Sequence, residues 1–196
     1  MEEVYRPLSE RKGELALMII DVQDSLMRPV EMEFRRRAIN NIKLLIALAH
    51  KLNFPLLLTE QYPKGLGRTV SEIQQALEDY QPIEKVSFSC CGDEGFKSRL
   101  RQLDSARRLI LVGVEAHVCV LQTALDLLAN GYEVYVVSDA VCSWRKLDWE
   151  VGLRLMEKAG ATITTTEILI FQLLGRSGTD EFRFMSKLFK QMADCE

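Results

Sequence analysis

Short apolar runs without polar alternation recur along this chain of 196 residues, and longer amphipathic segments separate them. Strands buried on both faces of a sheet lack alternation, whereas the helices that connect them show a helical period. The pattern predicts an α/β fold, namely a three-layer, Rossmann-like α/β/α architecture around a six-stranded parallel sheet. We predict strands at residues 15–20, 54–59, 82–86, 109–114, 133–138 and 161–165, and helices at residues 33–52, 95–103, 118–130 and 148–159.

The sequence gives no sign of a domain boundary. No internal repeat, low-complexity stretch or linker rich in Pro, Gly and Ser divides it. We therefore predict a single domain over residues 1–196, with a C-terminal helical tail at about 176–196 that docks on the domain or on a partner. Capping-box patterns, in which Glu or Gln follows Ser or Thr by three positions, predict further helix starts at Thr69, Ser71 and Thr164.

Composition and charge exclude several functional classes. The net charge is −3 and the basic residues are scattered, so we expect no nucleic-acid partner. The longest apolar stretches fall short of the roughly 18 residues of a membrane span, so we expect no membrane partner. Residues 1–7 lack the apolar core of a signal peptide, which predicts a cytoplasmic location. Five cysteines without a C-x-x-C pair are predicted to be thiols: Cys90, Cys91, Cys119, Cys142 and Cys195.

Three residues with reactive side chains follow predicted strands. Asp21 ends the first strand, Lys85 lies at the edge of the third, and Cys119 follows the fourth through a turn that contains Gly113. Parallel strands end at one edge of a sheet, where ligands bind, so we expect the three side chains to converge. A thiol near a helix N-terminus and beside an ammonium is biased toward thiolate, which makes Cys119 the candidate nucleophile with a lowered pKa.

The surroundings of Cys119 supply the other parts of an acyl-transfer site. Asp21 is the candidate general base, and Lys85 is expected to hold the two anionic groups together and to bind developing negative charge. Backbone N–H groups of the turn, at Glu115, Ala116 and Cys119, are the candidate oxyanion hole.

The motifs around these residues resemble the isochorismatase-like cysteine hydrolases, and in particular the subgroup called isochorismatase domain-containing proteins. They are Asp21-Val22-Gln23, Lys85 before Ser87-Phe88-Ser89, Gly113-Val114-Glu115-Ala116-His117-Val118-Cys119-Val120, Gly131-Tyr132 and Ser138-Asp139-Ala140. The resemblance spans roughly residues 14–175. It implies a hydrolase of small amide-like molecules in which the aspartate is the base, the lysine orients it and the cysteine attacks. It also implies a cis peptide bond at Val114–Glu115.

Departures from neighbouring families narrow this expectation. Isochorismatases proper lack the nucleophilic cysteine, so Cys119 favours covalent acyl chemistry. Nicotinamidases hold a metal with an Asp and two His after the second strand, whereas this chain has only His50 and His117. We therefore expect no metal and no cofactor. The substrate, a small molecule, is expected to be bounded by Leu26, Gln61 and Phe88.

Other interpretations remain open at this point. The same fold is compatible with a non-catalytic interaction protein. Cys90 and Cys91 are compatible with a thiol redox sensor, although adjacent cysteines rarely bridge without strain. A base role for His117 is disfavoured, because residues two apart on a helix point to nearly opposite sides.

Apolar helix surfaces predict a homo-oligomer. Trp144 and Trp149, which follow the fifth strand, either cover the pocket or pack against a neighbouring subunit. The family resemblance also implies self-association.

Overall fold

The computed structural model describes residues 7–103 and 105–193, and Cys195 lies outside these ranges. Six parallel strands form one sheet in the order β3-β2-β1-β4-β5-β6. The strands are β1 Leu15–Ile20, β2 Leu56–Gln61, β3 Ile83–Lys85, β4 Arg108–Val114, β5 Glu133–Cys142 and β6 Thr162–Thr164. The helices are α1 Asp24–Met27, α2 Met32–Leu52, α3 Pro63–Leu66, α4 Ser71–Gln74, α5 Glu94–Arg101, α6 Leu121–Ala129, α7 Lys146–Lys158, α8 Thr166–Leu174 and α9 Asp180–Ala193. The predicted fold class is confirmed.

The strand order reverses between β1 and β4, the two central strands. Every residue of both strands is buried, which explains why their sequences are apolar apart from Arg108 at the start of β4. In a doubly wound sheet, the crevice beyond the carboxyl ends of the strands at the reversal is the usual binding place. Asp21 follows β1, and the turn to Cys119 follows β4, so both lie at this crevice.

Side chains of β1 alternate between two apolar layers. Leu15, Leu17 and Ile19 pack on the side of α2, α8 and α9, whereas the intervening residues pack on the side of α5, α6 and α7. This alternation follows from the two-residue period of a strand. Both faces of the sheet are therefore covered by helices.

The C-terminal helix α9 packs on the core. Met185 is fully buried, and the ring of Phe189 stacks on Phe171 of α8 with centroids 6.0 Å apart. Among the described residues, no helix is both long and apolar enough for a membrane span.

Several local expectations need correction. Strand β2 continues through Glu60 and Gln61, two residues beyond the predicted end, and β5 continues to Cys142. The capping boxes at Thr69 and Ser71 were wrong, because Val70 precedes α4 and no side chain caps that helix. Thr165, rather than Thr164, caps α8 by accepting from the N–H of Ile168.

Candidate active site

Asp21 ends β1 in a left-handed backbone conformation, with φ of 51°. Asp is one of the few residues that tolerate this region, and the conformation turns the chain out of the sheet. Its side chain is fully buried, and its Oδ1 accepts a hydrogen bond from the hydroxyl of Thr59 at 2.7 Å. The strand end thus fixes a buried carboxylate at the crevice.

Lys85 lies at the end of β3, and its ammonium reaches past β2 to Asp21. The Nζ–Oδ2 distance is 2.6 Å, and both side chains have no exposed surface. Nζ also donates to Oε1 of Gln61 at 2.7 Å and to the carbonyl oxygens of Ser87 and Phe88 at 3.1 and 3.2 Å. Burial, the largest influence, lowers the pKa of Lys85, but the interactions with Asp21, Cys90 and Cys119 together outweigh it, and the pKa is raised. Lys85 is therefore held as an ammonium.

Gln61 was predicted to bound the substrate, and the structure gives its amide another role. Its Oε1 accepts from Lys85, and its Nε2 donates to the carbonyl oxygen of Val86 at 2.8 Å. Thr59 and Gln61 are two residues apart in β2, so both side chains lie on the same face of the strand. The two-residue spacing of Thr59 and Gln61 is visible in the sequence. It was not used, because the strand was predicted to end at Thr59.

The backbone around Gln61 is tied to the loop that carries Asp21. The side-chain amide of Gln23 accepts from the Gln61 N–H at 2.7 Å and donates to the Gln61 carbonyl at 3.0 Å. This paired contact fixes the ends of β1 and β2 against each other. Gln23 belongs to the Asp21-Val22-Gln23 motif, but the sequence pattern does not indicate this role.

The other two predicted substrate residues lie apart from this polar cluster. Leu26 is partly buried and packs against the apolar layer of α2. Phe88 exposes 56% of its surface, while its carbonyl oxygen accepts from Lys85. Their contact with a substrate stays a prediction.

Cys119 lies in a π-helical turn, Ala116–Val120, that leads into α6. The preceding peptide bond, Val114–Glu115, is cis, as the resemblance implied. Gly113 pairs with Ile20 across the two central strands, and a Cβ at position 113 would lie 2.0 Å from the Ile20 carbonyl oxygen. Only glycine lets β4 approach β1 so closely at this point.

The pKa expected for Cys119 was wrong in direction. Burial, followed by the negative charge of Asp21, raises the pKa of the thiol to about 12, although Lys85 opposes the shift. Only 5% of Cys119 is exposed. The sequence indicates a helix N-terminus and an ammonium near the thiol, but it does not show the loss of solvent, which disfavours the thiolate. Cys119 is therefore a thiol at rest, beside a carboxylate that is able to take its proton.

Cys90 is a second buried thiol next to the same groups. Burial raises its pKa to about 12, and its charge interacts with Lys85 and Asp21. Its backbone N–H donates to the hydroxyl of Thr123, which lies four residues after Cys119 and therefore on the same side of the helical turn. Cys90 is thus a wall of the site, whereas Cys91 is partly exposed.

His117 faces away from the nucleophile. Its Nδ1 lies 3.0 Å from the hydroxyl of Ser143, which follows β5. The contact agrees with the expectation that His117 and Cys119 point in different directions.

Residues 15–168 match the isochorismatase domain family. The chain belongs to the isochorismatase family. Isochorismatase domain-containing protein 2 of Bos taurus is 36% identical over 91% of this chain and 84% of its own length. Secreted isochorismatase effector Isc1 of Phytophthora sojae is 38% identical over 89% of this chain and 84% of its own length.

Several solved structures are similar to this fold. The Mar1 ribonuclease of Caenorhabditis elegans is 38% identical, with a TM-score of 0.82 over 91% of this chain and 90% of that one. Two structures called YcaC share the fold at lower identity. One, from Pseudomonas aeruginosa with covalent acrylamide, has 22% identity and a TM-score of 0.84 over 98% of this chain and 100% of that one. The other, an octameric hydrolase of unknown specificity from Escherichia coli, has 23% identity and a TM-score of 0.83 over 98% of this chain and 97% of that one.

This member of the isochorismatase family carries no clustered metal-ligand set in the part of the chain that the structure describes. No three His, Cys, Asp or Glu side chains there are arranged to hold an ion. Glu60, in the segment where nicotinamidases place ligands, is fully buried and accepts from the N–H and hydroxyl of Thr69 at 2.7 and 2.8 Å. Tyr80 and Arg68 donate to the same carboxylate. Glu60 therefore fastens the loop that follows β2.

Proposed function

We propose that this chain is a metal-independent cysteine hydrolase that cleaves a small amide or a related acyl compound through Cys119, Asp21 and Lys85. The observation that carries the proposal is the buried Lys85–Asp21 ion pair, 2.6 Å long, whose charges act on the Cys119 thiol. A buried ion pair is a costly arrangement that stability alone rarely explains. Perturbed ionisable groups in a crevice are typical of catalytic sites.

The first chemical step forms an acyl-enzyme. The sulfur of Cys119 attacks the carbonyl carbon, and Asp21 accepts the thiol proton as the C–S bond forms. The pKa of about 12 requires such a base, because little thiolate exists near neutral pH. The tetrahedral oxyanion is bound by backbone N–H groups of Glu115, Ala116 and Cys119. Lys85 remains an ammonium and offsets the negative charge that enters the site.

The intermediate then collapses in the direction of products. The C–N bond breaks, and the proton held by Asp21 moves to the departing amine. Water attacks the thioester, with Asp21 accepting its proton, and the acid product leaves as the Cys119 thiol is restored. Thr59 and Gln61 hold Asp21 and Lys85 in place throughout, since each contacts one of them at 2.7 Å.

Mass spectrometry of the intact protein tests this proposal. We would incubate the wild type with a library of small primary amides and map any acyl adduct to a peptide. In a separate incubation, acrylamide, which adds to thiols through its alkene without releasing ammonia, reports only which cysteine is reactive. We expect an adduct on Cys119, and we expect Cys119→Ala to abolish both the adduct and the release of ammonia. Cys91→Ala is the matched control, because Cys91 is a free thiol outside the ion-pair cluster.

The outcomes separate the interpretations. Adduct formation at Cys119 together with ammonia release supports the hydrolase. Labelling of Cys91 instead of Cys119, without ammonia release, contradicts it and favours an interaction protein. Formation of a peroxide-dependent Cys90–Cys91 bridge without amide turnover favours the redox sensor.

RNA is a second substrate class, because a relative with 38% identity is called Mar1 ribonuclease. Nucleic-acid binding depends on phosphate contacts by Lys and Arg, whereas this chain carries a net charge of −3. We therefore place small amides first. Including a short oligoribonucleotide in the same screen distinguishes the two, since RNA cleavage that survives Cys119→Ala would contradict the acyl-transfer mechanism.

We propose the cytoplasm as the working location. Cys90, Cys91, Cys119 and Cys142 are free thiols, which suits a reducing compartment. The Phytophthora sojae relative is called a secreted effector. Fractionation of cells that express the chain tests this point, and recovery in the medium with a disulfide would contradict it.

A further inference from the structure

A second buried thiol, Cys90, adjoins the same ion pair as the proposed nucleophile. Its sulfur lies 3.9 Å from the hydroxyl oxygen of Thr59, and that hydroxyl donates to Asp21 at 2.7 Å. Negative charge on Cys90 or on Cys119 raises the pKa of Lys85, and charge on Cys90 also raises the pKa of Cys119. Both thiols therefore lie around the ion pair, and the proposed hydrolysis uses only one of them.

Hydrogen bonds hold Cys90 against the helix that continues from the Cys119 turn. The backbone N–H of Cys90 donates to the hydroxyl of Thr123 at 3.0 Å, and Thr123 lies about one helical turn after Cys119. The hydroxyl of Ser89 donates to a carboxylate oxygen of Asp126, on the same helix, at 2.6 Å. These two contacts fasten the short loop that carries Cys90 onto α6, so its position relative to Cys119 is fixed.

The other described cysteines are less suited to react with Cys119. Cys142 packs in the apolar layer on the α2 side of the sheet, whereas Cys90 and Cys119 both pack in the layer on the opposite side. Cys91 directly follows Cys90, and adjacent cysteines rarely bridge without strain. The charged groups that act most on Cys91 belong to α5 and α6 rather than to the ion pair. Among the thiols that the structure describes, Cys90 is therefore the best placed partner.

We propose that Cys90 and Cys119 form a reversible disulfide bond when the protein meets hydrogen peroxide, with Cys90 as the resolving thiol of the oxidised nucleophile. Cys119 keeps 5% of its surface exposed and Cys90 none, so peroxide reaches Cys119 first. A resolving thiol stops oxidation at a reversible stage, before sulfinic acid forms. The inference goes beyond the proposed hydrolysis. One consequence rests on that proposed function, namely that oxidation should block amide turnover until the disulfide is reduced.

Both oxidation steps balance with peroxide as the oxidant. The Cys119 sulfur attacks a peroxide oxygen, the O–O bond breaks, and the thiol proton passes through Asp21 to the departing hydroxide, which leaves as water. Cys119 is then a sulfenic acid. The Cys90 sulfur attacks the Cys119 sulfur, the S–S bond forms as the S–O bond breaks, and the Cys90 proton leaves with hydroxide as a second water. Small-molecule thiols reduce the disulfide by exchange and are themselves oxidised to a disulfide.

Peptide mass spectrometry after peroxide treatment tests the proposal. We would treat the protein with a small excess of hydrogen peroxide, alkylate the remaining thiols and map the peptides without reduction. We expect a cross-link between Cys90 and Cys119 that is lighter by two hydrogens than the reduced peptides and that dithiothreitol removes. Cys90→Ala should lose this cross-link and accumulate roughly tenfold more sulfinic acid at Cys119 than the wild type. Cys91→Ala is the matched control and should keep the cross-link.

Mapping of the wild type decides the case even if Cys90→Ala fails to fold. A cross-link between Cys90 and Cys91, or sulfinic acid at Cys119 without any cross-link, overturns the proposal. So does a Cys119 that peroxide leaves as a thiol, or a level of sulfinic acid that is the same with and without Cys90. A Cys90–Cys119 cross-link in a protein that turns over no amide would support this inference and contradict the hydrolase proposal, so the two failures are distinguishable.

Discussion

A double-mutant cycle on the buried ion pair should show strong coupling between Asp21 and Lys85. Lys85→Met leaves the carboxylate of Asp21 buried without its ammonium, and removal of one partner from a buried pair costs about 3–5 kcal/mol. Asp21→Asn leaves the ammonium with Gln61 and two carbonyl oxygens, so its cost is expected at the lower end of that range. The double variant removes both charges at once and should lose much less than the sum of the single losses.

Urea unfolding at about pH 7, followed by circular dichroism, measures each free energy of unfolding. We expect a coupling energy of at least about 2 kcal/mol for Asp21 and Lys85. The control is the exposed pair Asp180–Arg183, 2.7 Å apart on α9, for which the coupling should stay below about 0.5 kcal/mol. Equal coupling in the two pairs would refute the reasoning, because it would mean that the buried pair contributes no more than a solvated one.

The stability that Lys85 contributes should change with pH in a definite direction. Burial, the largest influence, lowers the pKa of Lys85, but Asp21 together with Cys90 and Cys119 raises it above its ordinary value of 10.5. The associated stability is therefore complete below pH 10.5 and is lost as the pH rises through the folded-state value. Lys85→Met should lack this alkaline loss. An identical alkaline profile in the variant would contradict the assignment.

Three further variants test single contacts. Gly113→Ala should destabilise the fold by at least about 3 kcal/mol in urea unfolding, since its Cβ would meet the Ile20 carbonyl at 2.0 Å; a loss below about 1 kcal/mol would contradict the close packing of β1 and β4. Thr59→Val should cost about 2 kcal/mol and slow alkylation of Cys119, because Asp21 loses a hydrogen bond; unchanged alkylation would show that Thr59 does not position the base. Burial raises the pKa of Glu60, but hydrogen bonds, the largest from Tyr80, outweigh it and lower the pKa below 4.5. The stability that Glu60 contributes is thus present above pH 4.5 and is lost as the pH falls through the pKa of Glu60 in the folded state. Glu60→Gln should therefore flatten the acid side of the plot of unfolding free energy against pH. An unchanged acid side would contradict this role of Glu60.

The fold was predictable where burial leaves a direct mark on the sequence. Strands β1 and β4 are buried throughout and almost wholly apolar. Strand β1 was predicted with its observed bounds, and β4 from the residue after Arg108. The end of β2 was missed because Glu60 and Gln61 are polar, although both are buried and hydrogen-bonded. Buried apolar residues leave a pattern in the sequence. Buried polar residues are hydrogen-bonded by partners from distant segments, and this leaves no such pattern.

The sequence predicted which residues form the candidate site better than it predicted their pKa values. Asp21 and Lys85 were predicted to lie close together, because parallel strands end at one edge of the sheet and because of the family resemblance. In the structure, the two charged groups are 2.6 Å apart. The raised pKa of Cys119 depends on burial and on its distance from Asp21, neither of which a linear sequence contains. The contact between Gln61 and Lys85 likewise requires the register of β2 against β3.

The most direct test of the central claim is the alkylation rate of each cysteine against pH, read by peptide mass spectrometry, for the wild type, Asp21→Asn and Lys85→Met. We predict that Cys119 reacts fastest near neutral pH despite a resting pKa of about 12, because Asp21 accepts its proton during the reaction. We also predict at least a tenfold slower reaction in Asp21→Asn, with Cys91 unchanged in every variant. If Cys119 reacts no faster than the more exposed Cys91, or if its rate is the same without the Asp21 carboxylate, the proposed catalytic triad is wrong.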